Sequence, residues 1–183
     1  MADDGRWLRV STVDLLKLEE VVAAHPDVLE VAAVELGEGP GGLGVTAAVV
    51  PVDFASGPEI RDAAWQQLGD AAPRTVALLA ALPRTPAGEV DRAELARSLA
   101  EDDLPRSTYV PPGTPLETEV AEILSEVLDA PRVGLDDDFL ELGGDSLRAI
   151  EVVNLLEQRT GLLVALEELF DAATVRNLVA GAR

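Results

Sequence analysis

Read from its residues alone, the chain divides into a small α+β unit, with helices around a sheet of about three strands, followed by an all-α four-helix bundle. Three observations lead there. Over residues 1–100, segments of helical spacing alternate with short apolar runs rich in Val and Ala. Beyond residue 113 helical spacing dominates. Between them, residues 101–115 hold four prolines among polar residues, the composition of a linker. The expected organisation is therefore 1–100 for the first unit, 101–112 for the linker and 113–183 for the bundle.

In the first unit, Leu15, Leu18, Val21 and Val22 recur at helical spacing over Asp14 to Ala24, and Pro26 ends that helix. Val28 to Leu36 reads as a strand, the glycine-rich Gly37 to Gly42 as a hairpin-type loop, and Gly44 to Val52 as the returning strand. A helix from Pro58 to Leu68 starts on a proline, where the missing N–H costs least. Thr75 to Leu82 is a third apolar strand, Pro83 to Gly88 a turn and Asp91 to Ala100 a closing helix. In the second unit, Thr114 caps a helix from Pro115 to Leu128, with Glu117 placed to complete a capping box. A long loop from Asp129 to Asp145 leads to a helix from Ser146 to Arg159, stopped by Gly161, and two short helices follow at Leu166–Phe170 and Thr174–Val179.

Composition restricts what such a chain does. Its 14 basic and 34 acidic residues give 14 − 34 = −20, a surface that repels phosphate backbones, so no nucleic-acid role is expected. The acidity is spread evenly: 9 − 19 = −10 up to Gly113 and 5 − 15 = −10 after it. The longest apolar runs fall far short of the roughly 20 residues that span a bilayer, and no signal peptide opens the chain, so a cytoplasmic, non-membrane protein is expected. With no cysteine there is no disulfide, no thiolate nucleophile and no thiolate metal site. Aromatic residues make up 3%, which leaves aliphatic cores. His25 precedes Pro26 at a helix end, with no acid and nucleophile beside it, and reads as a cap or packing residue.

The loop before the second long helix carries the chemistry. It runs Asp136-Asp137-Asp138-Phe139-Leu140-Glu141-Leu142-Gly143-Gly144-Asp145-Ser146-Leu147. Phe139 and Leu142 are expected to anchor it in the bundle, and the two glycines allow a tight exposed turn. Ser146 then stands at a helix N-terminus, where free N–H groups and the helix dipole favour a phosphate on its hydroxyl oxygen. The plainer reading of Ser146 is an N-cap. A calcium loop starting at Asp136 fails on spacing: its sixth position is Glu141 and its twelfth Leu147. The three aspartates read instead as a solvated stretch, and no metal site is expected.

That motif, within a four-helix pattern covering about Pro112 to Arg183, resembles the peptidyl carrier domains of nonribosomal peptide synthetases. The resemblance implies that Ser146 receives 4′-phosphopantetheine from a Mg²⁺-dependent phosphopantetheinyl transferase, and that the arm's thiol carries an aminoacyl, hydroxyacyl or peptidyl thioester. Implied partners are the adenylation and condensation domains of the same synthetase, and a ketoreductase or epimerisation domain; Asp145 before the serine recurs in carriers facing epimerisation domains. At 100° per residue from Arg148, Ala149, Val152, Val153 and Leu156 fall between about 40° and 140° and form the core stripe, whereas Leu147 and Ile150 lie at about 260° and 200° among polar residues. These two are the expected docking patch.

The first unit, from about Val10 to Leu99, resembles the small C-terminal subdomain of an adenylation domain, above all in Ala81-Leu82-Pro83-Arg84-Thr85-Pro86-Ala87-Gly88-Glu89-Val90-Asp91-Arg92. It departs from that family where catalysis would need it. Glu89 stands in place of the lysine that contacts acyl and phosphate oxygens. Val10-Ser11-Thr12-Val13-Asp14 lacks the glycine and arginine expected before the first helix, and the sole lysine, Lys17, lies far from the motif. The large nucleotide-binding subdomain is absent from these residues. The expected function is thus a carrier joined to a non-catalytic pseudo-subdomain, by analogy one from a depsipeptide module interrupted by a ketoreductase; the alternative is a competent C-terminal half of an acyl-adenylate-forming enzyme.

Overall fold

The computed structural model describes residues 12–37, 44–101, 104–171 and 173–181. The hairpin loop expected at Gly37 to Gly42 and the Val10–Ser11 step fall largely outside them. The first unit runs α1 (Thr12–Ala23), β1 (Val28–Leu36), β2 (Gly44–Pro51), α2 (Gly57–Leu68), β3 (Thr75–Leu78), α3 (Arg92–Glu101) and β4 (Arg106–Thr108). The sheet order is β1-β2-β3-β4, with β1/β2 and β3/β4 antiparallel and β2/β3 parallel.

The near-continuous apolar text of β1 and β2 follows from burial on both faces. Successive residues point to opposite sides: Ala33, Ala47, Val49 and Val76 meet Leu18 and Val22 of α1 and Ile60 and Ala64 of α2. Ala32, Val34, Ala48 and Ala77 meet Leu95 and Leu99 of α3 together with Leu82. The alanines leave room for helices close on either side.

Two differences from expectation concern the sheet. β3 stops at Leu78, because the chain turns away through exposed Ala80 and Ala81 before Pro83, which has no N–H for a ladder. The sheet also has four strands. Arg106–Thr108, within the stretch read as linker, pairs with β3 through Thr75↔Thr108 and Val76↔Ser107. Of its three residues only Thr108 favours a strand, so the pairing with β3 decides it.

The second unit comprises α4 (Pro115–Leu128), α5 (Ser146–Thr160), a 3₁₀ turn at Leu166–Leu169 and α6 (Val175–Ala180). The expected third helix is this 3₁₀ turn: four residues are too few to nucleate an α-helix. The α4 capping box forms as expected, with Glu117 N–H donating to Thr114 Oγ1 at 3.2 Å and Thr114 N–H to Glu117 Oε2 at 2.8 Å. Val120, Ile123 and Leu124 of α4 pack with Ala149, Val152 and Leu156 of α5, Leu169, Val175, Leu178 and the ring of Phe139. Among the described residues no helix is long and apolar enough to cross a membrane, and no cluster of metal-ligating side chains occurs.

Candidate functional site

The loop entering α5 is built around Phe139, which is fully buried and meets Phe170 edge to face at 6.4 Å. Its N–H donates to Ala173 O at 3.0 Å, and its carbonyl accepts the N–H of Gly144 at 2.8 Å, closing the loop on itself. The two glycines answer to different constraints. Gly143 has φ +82°, a left-handed conformation that suits glycine. Gly144 has no such φ, but a Cβ there would lie 2.4 Å from Cε1 of the Phe139 ring.

Asp145, not Ser146, is the N-cap of α5: its Oδ1 accepts the N–H groups of Leu147 at 2.8 Å and Arg148 at 2.9 Å. Ser146 is the first helical residue and is exposed. The plainer reading of the serine thus fails, and so does one part of the chemical expectation. Two N–H groups at the helix start are occupied by a carboxylate, which the N–H of Arg148, that of Leu147 and the charge of Arg148 hold below the ordinary carboxylate range. The exposed Ser146 therefore does not stand before a bare helix terminus, and half-buried Arg148 donates from Nη1 to Gly143 O at 2.8 Å. The open serine, with capping done by its neighbour, fits a bulky phosphodiester. The acidic cap was legible as an N-cap signal in Asp145-Ser146-Leu147.

Leu147 is 79% and Ile150 49% exposed, one helical turn apart, while of the predicted stripe Ala149, Val152 and Leu156 are buried and Val153 is half-buried at its edge.

Asp136, Asp137 and Asp138 do not form one solvated stretch: Asp136 alone is exposed. Asp136 pairs with Arg176 of α6 at 2.6 and 2.9 Å, which holds its carboxyl below the ordinary range. Asp137 is 3% exposed. Asp138 Oδ1 accepts the N–H groups of Leu140 and Glu141 at 2.9 and 3.2 Å. Their composition gave no sign of three separate tasks.

In the first unit Glu89 lies exposed in the turn closed by the Arg84↔Val90 bridge, where Thr85 N–H donates to Glu89 O at 2.8 Å. Lys17 is exposed on α1. His25, read as a cap or packing residue, accepts the N–H of Asp27 at Nδ1 at 3.3 Å just after α1.

Residues 118–181 match the family described as phosphopantetheine attachment site, and residues 17–89 match the AMP-binding enzyme C-terminal domain. The chain is 34% identical over 185 residues to a linear gramicidin synthase of Brevibacillus parabrevis, an alignment covering 99% of this chain and 4% of that protein. It is 32% identical over 179 residues to the dimodular nonribosomal peptide synthase of Bacillus subtilis (strain 168), covering 97% of this chain and 7% of that one. The chain thus spans only a small part of either relative's length. A solved structure described as a non-ribosomal PCP domain is 31% identical, covers 40% of this chain and 95% of its own, and has a TM-score of 0.38. The two family matches, in this order along one chain, make it a segment of the nonribosomal peptide synthetase family in which an adenylation-type C-terminal subdomain precedes a carrier domain that takes covalent phosphopantetheine on a serine.

Proposed function

We propose that Ser146 is the attachment point of 4′-phosphopantetheine and that the first unit is a structural, non-catalytic subdomain. The observation that carries the first part is the division of labour at the start of α5: Asp145 caps, and Ser146 is left exposed behind an elbow pinned by Phe139 and Gly144. When attached, the arm supplies a thiol that holds an acyl, aminoacyl or peptidyl group as a thioester. The chain's own residues position that arm. Phe139 anchors the elbow, Gly144 allows the close approach, Asp145 sets the helix start, and Leu147 and Ile150 offer an apolar landing surface to a phosphopantetheinyl transferase and to adenylation and condensation domains.

Glu89 supports the structural reading of the first unit. It presents a negative charge from an exposed turn, where adenylation chemistry on carboxylate and phosphate oxygens requires a positive one. A parent module with an inserted ketoreductase accommodates such a subdomain as a spacer. The competing reading, a catalytically competent half, draws on the match of residues 17–89 to the AMP-binding enzyme C-terminal domain.

The test of Ser146 is incubation with coenzyme A and a broad-specificity transferase, followed by intact mass. One pantetheine phosphate is expected on the native chain and none on Ser146→Ala; addition to the variant overturns the assignment.

A further inference from the structure

Arg61 of α2 has 0% exposed surface, a state that arginine reaches only with partners. Its Nη1 and Nη2 donate to the two carboxylate oxygens of Asp137 at 2.8 and 2.7 Å, a bidentate pair reaching from the first unit into the second unit's loop. Nη1 also donates to Ser107 Oγ of β4 at 2.9 Å, and Nε to Asp62 Oδ1 at 3.1 Å. Asp62, 3% exposed, takes a second cation from across the junction, Arg132, whose Nε donates to Oδ1 at 3.2 Å. The Arg132 guanidinium lies 4.9 Å from the ring centre of Trp65 on α2 and 4.1 Å from that of Tyr109, which follows β4. Acid and base thus alternate as Asp137, Arg61, Asp62, Arg132, and the row crosses between the units at both ends.

The surroundings are equally close. A Cβ on Gly134 would come within 3.1 to 3.2 Å of Asp137 Oδ2, the Tyr109 ring and Val110 O. Gly134 N–H donates to Asp137 Oδ2 at 2.7 Å, and Leu135 N–H to Val110 O at 2.8 Å. Ser56 Oγ, which caps α2 by accepting the Glu59 N–H, donates to Glu141 O at 2.9 Å. Burial at this junction pushes the Asp62 carboxyl up against the pull of Arg61 and draws the Arg132 guanidinium down against that of Asp62.

Buried charges are tolerated only with good geometry, and separating a pair leaves an uncompensated charge out of water. A junction of this kind has a docked arrangement and a released one, with little stable ground between them. A loose tether would place no arginine in the dry part of the contact.

We propose that the Arg61–Asp62–Trp65 face of α2 is a docking surface for the Arg132–Asp137 loop of the same chain, so that subdomain and carrier travel as one rigid body. Ser146, at the start of α5 directly after the loop held at Asp137, then keeps a fixed position relative to the sheet, and partner domains approach the pair together. The proposal is independent of whether Ser146 is modified.

Residual dipolar couplings of the ¹⁵N-labelled chain in a weakly aligning medium test it. One alignment tensor is expected to fit the amides of β1–β3 and those of α4–α5 together. With Arg61→Met, two tensors are expected, the smaller at least twofold weaker than the larger. Asp137→Asn, which keeps an oxygen for the Gly134 N–H, is expected to separate the units in the same way, and shows the effect if Arg61→Met fails to fold. Two tensors in the native chain overturn the proposal; one tensor in a folded variant overturns the role of the cluster.

Discussion

Gly144→Ala tests whether the elbow before Ser146 is held by the Phe139 ring. The added methyl would lie 2.4 Å from Cε1 and 2.5 Å from Cδ1 and Cζ of that ring, distances that cannot persist. Phe139 has nowhere to retreat: it is fully buried, packs edge to face on Phe170, and is held at its N–H by Ala173 and at its carbonyl by Gly144. Overpacking of this kind costs about 1–3 kcal/mol, and the rigid surroundings place Gly144→Ala at the upper end, about 3 kcal/mol. Phe139→Leu should cost about 1–2 kcal/mol, less than full truncation, but it removes the atoms that the methyl strikes. The double variant is therefore expected to be more stable than the sum of the single effects by at least about 1 kcal/mol. Urea unfolding followed by helical circular dichroism measures all three. Pantetheine transfer to Ser146 should slow with Gly144→Ala and partly recover in the double variant. If Gly144→Ala unfolds within about 0.5 kcal/mol of the native chain, or if the two changes simply add, the ring does not hold the elbow. Gly143→Ala is the contrast, since its cost of about 1–2 kcal/mol arises from φ +82° and Phe139→Leu should leave it unrescued.

Leu147→Asp and Ile150→Asp should each slow pantetheine transfer at least tenfold in a steady-state assay while changing stability by no more than about 0.5 kcal/mol, because both side chains are exposed. Acid unfolding should follow Asp136, Asp145 and Glu117, all held below their ordinary values in the folded chain, by Arg176, by the α5 N–H groups and by the Gly113 and Thr114 N–H groups respectively. Their contribution is present above the free-carboxyl range of about 4 and is lost as pH falls through the folded values; Asp136→Asn should flatten the loss seen by circular dichroism. Asp62 is raised and acts oppositely, its cost easing as pH falls, so Asp62→Asn should steepen the loss on the acid side. Glu89→Lys, mixed with a large adenylation subdomain from a related synthetase, should give no ATP–pyrophosphate exchange above that of the large subdomain alone; a tenfold rise would restore the competent-half reading.

Local chemistry was the most legible part of this chain. β1 forms over Val28–Leu36 and α4 carries its Thr114–Glu117 box because periodicity and capping depend on neighbours a few residues away. The buried stripe of α5 and the exposure of Leu147 and Ile150 follow from one rotation per residue. What escaped depends on partners remote in sequence. β4 looked like linker because its strand pairing is with Thr75–Ala77. Asp137 looked solvated because its cation, Arg61, stands on another unit. The exchange of roles between Asp145 and Ser146 is of another kind, since both are good caps and a one-residue difference in helix start decides between them.

The loop from Gly134 to Asp145 is held on two sides. Phe139, Gly144 and the Asp136–Arg176 pair tie it to the second unit, and Asp137 on Arg61, with Glu141 O on Ser56 Oγ, ties it to α2 and its cap in the first. A substitution within the loop can disturb both, so slower pantetheine transfer in an Asp137 variant does not by itself report on the elbow. Arg61 separates the two effects because it touches the loop only from the α2 side. If Arg61→Met frees the carrier yet leaves transfer to Ser146 at the native rate, the elbow is built by the bundle alone and the junction governs only where the carrier stands. If transfer falls as well, Asp137 transmits docking to the serine, and the subdomain shapes the carrier's modification site as well as its position.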